Sequence, residues 1–279
     1  MAEPCLPVLM YHGLHADAHA RGFDPVYSVR PDDFARQLDW LCAHGYQTTC
    51  FDRLLAQDAS TGDARSRASM HGLEPRESIV ISFDDGDASN RSVALPMLAA
   101  RKMVAEFCIT SDFIGRRGML SANDVRALAR AGMGVQSHGR THRLLEDLDE
   151  VALDSELALS KRRLEALCER PVCALALPGG RGGTRERDAA FRAGYQLVLT
   201  SVPGVNRGAL ARNCRERIAV TRDTTMADFA ALVQWRGLRP RLARMRYGAL
   251  GLPKRVLGNA RYERVRAKLL GAGSRSPQR

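Results

Sequence analysis

The chain has 279 residues, 45% of them hydrophobic, with 42 Lys or Arg against 31 Asp or Glu. That is enough for one large globular core or two small ones, and it excludes a disordered chain. The net charge of +11 is not evenly spread: residues 236–279 hold thirteen of the basic residues and one acid, Glu263, so a near-neutral body carries a basic C-terminal segment. Seven scattered cysteines (Cys5, Cys42, Cys50, Cys108, Cys168, Cys173, Cys214) read as reduced thiols. With neither a signal-peptide pattern nor a run long enough to span a bilayer, the expected location is cytoplasmic.

Residues 7–11 read as a first strand that delivers His12 and Gly13, followed by a polar loop with His15 and His19. Pro31-Asp32-Asp33 opens a helix with Phe34, Leu38 and Leu41 on one face, including Trp40 as packing, and Gly45 ends it. A strand over 46–50 precedes a polar surface connection over 56–77. The apolar run Ser78-Ile79-Val80-Ile81 is a buried strand, and it ends in Ser82-Phe83-Asp84-Asp85-Gly86. Adjacent carboxylates repel and lose hydration there unless a cation takes one and leaves the other as a base; alone, the stretch reads as a turn with a capping Asp.

Asp87 or Ser89 is expected to cap a helix through Leu95, Leu98 and Ala99, bent by Pro96, before a strand over 104–110. Ser121 and Asp124 form a capping-box start for a helix that stops near Gly132. Residues 133–136 form a strand ending in Ser137-His138-Gly139-Arg140-Thr141-His142. Leu153, Leu157, Leu164 and Leu167 stripe a long helix that Pro171 terminates, and a strand over 172–177 leads to Pro178-Gly179-Gly180. A helix closing at Phe191 and Ala193 and strands over 195–200 and 217–220 complete the series.

Strands alternating with helices imply parallel β structure, and about seven such units suit a barrel. In a parallel barrel the loops after the strands share one face, so His12, Asp84, Asp85, His138, His142 and Gly179 would converge. On one helical turn, His138 and His142 would project to the same side at a distance a single metal ion bridges. Two His and a carboxylate form a recurrent ligand set for Zn²⁺ or another divalent ion.

Ser-Phe-Asp-Asp-Gly followed by Ser-His-Gly-Arg-Thr-His resembles the first two motifs of the polysaccharide deacetylase family, also called the NodB-homology or carbohydrate esterase family four domain. The similarity runs in motif order over about residues 6–233, with Met10-Tyr11-His12-Gly13 at the start and residues 175–180 as a third motif. It implies an α/β fold, a distorted (β/α)7 barrel, that removes acetyl groups from N-acetylated sugars, or sometimes O-acetyl esters or other amides. It also implies one divalent ion, Zn²⁺ first, on Asp85, His138 and His142, with Asp84 as catalytic base. Pro178 and Gly179 would meet the substrate, where the missing Gly179 side chain allows a backbone N–H to approach the oxyanion.

The chain departs from the pattern in two places. No histidine follows His142, so the acid of the late Leu-x-His motif is missing, and His12 either replaces it or only hydrogen-bonds a carboxylate. The third motif lacks the arginine that orients the base, for which Arg181 or Arg217 could substitute. A barrel that binds acetylated sugar without cleaving it, and a small-molecule amidase, are the alternative functions; Asp84 beside a metal-ligating Asp85 favours hydrolysis.

These readings divide the chain into a barrel over 1–233 and a basic, amphipathic, helical extension over 234–279. The extension interleaves Arg and Lys with Leu238, Leu242, Met245 and further apolar residues. It either lies on the inner face of an anionic membrane or packs on the barrel with a solvated basic face. Few aromatics and no binding motif argue against nucleic acid. The expected partner is an acetylated glycan or glycolipid.

Overall fold

A computed structural model describes residues 5–17, 24–60, 78–207 and 213–257. The first half contains β1 (Leu6–Tyr11), β2 (Gly13–Leu14), β3 (Ser28–Val29), α1 (Pro31–Ala43), β4 (Gln47–Thr48), α2 (Phe51–Ser60), β5 (Ser78–Phe83), α3 (Leu95–Ala100), β6 (Glu106–Ile109) and α4 (Ala122–Arg130). The second contains β7 (Gly134–Ser137), α5 (Glu150–Cys168), β8 (Ala174–Ala176), α6 (Thr184–Arg192), β9 (Leu197–Leu199), β10 (Val205–Asn206), β11 (Asn213–Arg215), β12 (Ile218–Ala219), α7 (Met226–Val233) and α8 (Leu238–Leu257).

The strands form a nearly closed barrel in the order β1-β5-β6-β7-β8-β9, each pair parallel. Closure falls to β11, parallel to β9, and β12, parallel to β1. Only Glu216 and Arg217 separate those two strands, so the seventh stave is one run broken in its middle. β10 is antiparallel to β1, which makes the sheet mixed rather than wholly parallel.

Side chains alternate across a strand, and the alternation divides the core. Leu9, Tyr11, Ile81, Phe83, Phe107, Val135 and Leu175 face the surrounding helices. Val8, Val80, Cys108, Ala174, Ala176 and Leu199 pack together inside, with Phe51 and Leu54 of α2 among them. All seven cysteines are free thiols.

Several helix ends follow directly from local chemistry. Ser121 and Asp124 form the reciprocal capping box at the start of α4, and Asp149 caps α5 by accepting from Ala152 N. Glu169 turns left-handed to end α5 two residues before Pro171. The segment after Gly86 differs from the regular capped helix expected there: Asn90–Ala94 is a π turn that leads into α3. Pro96 has no N–H to donate one turn back, and the wider turn before it accommodates that gap. The polar connection expected from Ala56 also begins later, because α2 continues through Ser60. Residues 61–77, His19 and the extension beyond Leu257 lie outside the described residues.

At the bottom of the barrel, Glu106 accepts from Phe51 N and from Gln136 Nε2, the latter at 3.0 Å. Gln136 Oε1 in turn accepts from Cys173 N (3.0 Å) and Ala174 N (2.8 Å). Gly134 leaves the space that the Glu106 carboxylate fills. Burial raises the Glu106 carboxyl from 4.5 to about 7, against the opposing effect of its two donors.

The native state therefore keeps a proton between about pH 4.5 and 7 that the unfolded chain has released. The associated stability is complete below that window and is lost as pH rises through it, by about 3 kcal/mol at most. Urea denaturation of wild type and Glu106→Gln at pH 5 and pH 8 should show wild type losing stability relative to the variant at the higher pH. Parallel behaviour at both pH values would contradict this account of Glu106.

Candidate active site

The upper ends of the strands supply the polar groups. Asp84 N still donates to Tyr11 O in the barrel ladder (2.9 Å), and the chain turns away at Asp85 and Gly86, with φ of 73° and 91°. Asp tolerates the left-handed region better than most side chains, and Gly is at ease there. The two carboxylates are thereby separated: Asp84 is buried in the barrel, while Asp85 sits nearer the mouth.

Arg217, fully buried at the break in the closing stave, holds Asp84 with two parallel bonds, Nη1 to Oδ1 at 2.7 Å and Nη2 to Oδ2 at 2.8 Å. Its Nε donates to Thr200 O at 2.8 Å. Burial alone would raise the Asp84 carboxyl, but Arg217, His138 and His12 outweigh it and hold the group below its usual range. Of the two arginines considered from sequence, Arg217 orients Asp84, whereas Arg181 pairs with Glu146 at 3.4 Å.

Asp85, His138 and His142 each present one ligand atom, all within 4.8 Å of one another. Nε2 of His138 and of His142 lie 3.4 and 3.2 Å from Asp85 Oδ1. That oxygen is buried, and no well-formed hydrogen bond reaches it among the described residues. His138 Nδ1 lies 2.9 Å from Ala176 O, which places the proton on Nδ1 and frees Nε2. Burial opposes the Asp85 charge, yet the two imidazoles keep its carboxyl well below the usual range. An orphaned carboxylate oxygen facing two imidazole nitrogens is a donor set that fits Zn²⁺ or a similar divalent cation.

The two histidines do not share a helical turn. Gly139 and His142 have φ of 76° and 67°, so residues 138–142 form a loop, and α5 shapes it. Glu156 Oε1 accepts from Arg140 N (2.8 Å), Thr141 N (2.6 Å) and Thr141 Oγ1 (3.1 Å). Ser160, one turn further along, donates to Gly139 O at 2.9 Å. The sequence reading missed both residues. Glu156 and Ser160 lie on the same buried face as Leu153, Leu157 and Leu164, and polar residues in an apolar stripe were the available signal.

His12 enters from the end of β1. Its ring packs against Tyr27, tilted by 33° with centroids 4.5 Å apart, and it shares a small recess with Gly13, Asp24, Ser28 and Asp85. Its Nδ1 is buried without a hydrogen-bond partner among the described residues. Burial lowers its pKa, and the opposing pull of Asp85 and Asp84 does not overcome that. His15 lies elsewhere, 3.3 Å from the Asp87 carboxylate.

The Pro178–Gly180 turn has a different local reason from the one expected. Gly179 takes a φ of 64°, a left-handed conformation that glycine adopts readily, and an added Cβ would meet only the tip of the Leu144 side chain. Pro178 is buried and lies against Gly139.

Residues 71–198 match the protein-family profile described as Polysaccharide deacetylase. The Bacillus subtilis (strain 168) protein YxkH, provisionally named as a polysaccharide deacetylase, is 26% identical over 82% of this chain and 76% of its own length. A polysaccharide deacetylase from Bacillus cereus superposes with a TM-score of 0.69 at 26% identity, over 83% of this chain and 69% of that one. The Streptococcus pyogenes deacetylase PplD, in complex with acetate, shares the fold with a TM-score of 0.70 at 22% identity, over 83% and 99% of the two chains.

Two outcomes test this geometry. Arg217→Met should destabilise the protein by about 3–5 kcal/mol in urea denaturation, because it strands a buried carboxylate, and adding Asp84→Asn should restore part of that loss. Glu156→Ala should weaken Zn²⁺ binding about 10–100-fold in competition with a chelating dye. Unchanged affinity would remove Glu156 from the support of the loop.

Proposed function

We propose that the chain, whose residues 71–198 match the polysaccharide deacetylase profile, is a metal-dependent hydrolase acting on an amino-sugar-containing glycan or its lipid-linked precursor. Acetyl groups, chiefly N-acetyl, are removed in the cytoplasm. The observation that carries this reading is the buried carboxylate Asp84, kept ionised by Arg217 and adjacent to the cluster of Asp85, His138 and His142.

A divalent ion held by Asp85, His138 and His142, Zn²⁺ by the chemistry of the donors, supplies Lewis acidity toward the acetyl carbonyl and toward water. Asp84 takes the proton of the attacking water. Arg217 occupies one site on each Asp84 oxygen and fixes the carboxylate plane, which leaves lone pairs free to accept that proton. His12 faces Asp85 from β1 and donates a proton to the departing amine. Gly179, exposed at the rim beside the His142 loop, meets the sugar, and buried Pro178 holds the turn beneath it.

The test is acetate release from N-acetylated amino-sugar oligomers by Zn²⁺-loaded protein. Asp84→Asn should lower kcat by about 10²–10⁴-fold with metal content unchanged, and chelation should abolish release until Zn²⁺ is restored. Oligomer binding without acetate release, together with no effect of Asp84→Asn, would replace the hydrolase by a sugar-binding barrel. His12→Gln should lower kcat by about 10²-fold with little change in KM; an unchanged kcat would return His12 to a structural role.

A further inference from the structure

Helix α8 has three large apolar side chains exposed together: Leu238 is 72%, Leu242 52% and Met245 70% accessible. At about 100° per residue they fall within an arc of about 60°, and exposed Ala249 falls inside the same arc. Arg241 and Arg246, both exposed, flank the stripe on opposite sides. The opposite face carries buried Pro240 and partly buried Ala243 and Tyr247. Two ion pairs fix this rotation: Arg239 Nη2 to Asp228 Oδ2 of α7 at 2.6 Å, and Arg244 Nη2 to Glu216 Oε1 at 2.8 Å. The other exposed large apolar residues among those described, Val26 and Val151, belong to separate elements.

We propose that α8 lies in the surface of an anionic lipid bilayer, with Leu238, Leu242 and Met245 directed toward the acyl chains and Arg241 and Arg246 at the headgroups. An apolar stripe bordered by arginines is the arrangement that an interfacial helix requires, because the guanidinium groups reach the phosphate layer while their stems follow the apolar face. The sign of the partner follows from the sequence: no Asp or Glu occurs from Arg236 to Tyr262. A second copy of the chain is a poorer occupant, since a two-fold contact would set these arginines against their own copies. No helix among the described residues is long and apolar enough to cross a membrane, and the proposed contact is with the bilayer surface. The proposal rests on α8 and does not depend on the catalytic reading.

The test is flotation of the full chain with vesicles of phosphatidylcholine alone or mixed with phosphatidylglycerol. Binding should require the anionic lipid and weaken as salt is raised. Leu242→Asp with Met245→Asp should reduce partitioning at least about tenfold, with circular dichroism and thermal melting unchanged because both side chains are exposed. Arg241→Ala with Arg246→Ala should also reduce it while leaving the apolar stripe intact. Equal partitioning into neutral and anionic vesicles, or binding that survives both double variants, would overturn the proposal. So would a dimer, seen by analytical ultracentrifugation without vesicle binding, that the Leu242 and Met245 variant dissolves.

Discussion

Asp84 and Arg217 form a buried ion pair inside the barrel, and much of the molecule is arranged so that this pair can exist. Removing a carboxylate and a guanidinium from water costs several kcal/mol per ion, and mutual attraction offsets it only when geometry is good and remaining donors are satisfied. Both conditions hold: the contact is two-pronged, and the third guanidinium nitrogen donates to Thr200 O. The arrangement requires a break in the barrel wall. Residues 213–219 form a single stave that pairs with β9, pauses at Glu216 and Arg217, and resumes against β1. The wall closes where the base acquires its partner.

That two-residue break serves both sides of the wall. Arg217 points inward to Asp84, while Glu216 pairs outside with Arg244 of α8. Adjacent residues of an extended chain point to opposite faces, so the same short segment orients a carboxylate in the interior and a basic helix on the surface. Exposed ion pairs contribute little stability singly; here two of them define which face of α8 is outermost.

The two ends of the barrel treat buried carboxylates differently. Asp84 has a guanidinium beside it and remains charged, whereas Glu106 has only amide donors and its carboxyl rises to about 7. Neutral donors partly compensate burial, while a full positive charge outweighs it. At the upper end, the His142 loop adopts left-handed backbone at Gly139 and His142 that would not persist alone. Glu156 and Ser160 over-determine it from α5, tying three consecutive residues of the loop to a rigid element.

Local chemistry in the sequence was sufficient for most strands and helices of the barrel, because their signals are short-range: apolar runs, the Ser121–Asp124 capping box, and Pro and Gly at helix ends; α2, α7, β10 and β11 were not read from it. It also sufficed to bring His12, Asp84, Asp85, His138 and His142 to one face, since a parallel barrel gathers whatever follows its strands. It could not choose between Arg181 and Arg217, which depends on where a strand breaks more than 130 residues beyond Asp84. Nor could spacing show that His138 and His142 meet across a loop rather than on a helix. Their proximity is imposed by Glu156 and Ser160, and such long-range hydrogen bonds exist only after α5 has packed against β7. The outward face of α8 was likewise settled by tertiary contacts, because an amphipathic pattern identifies a stripe but not the side on which the barrel sits.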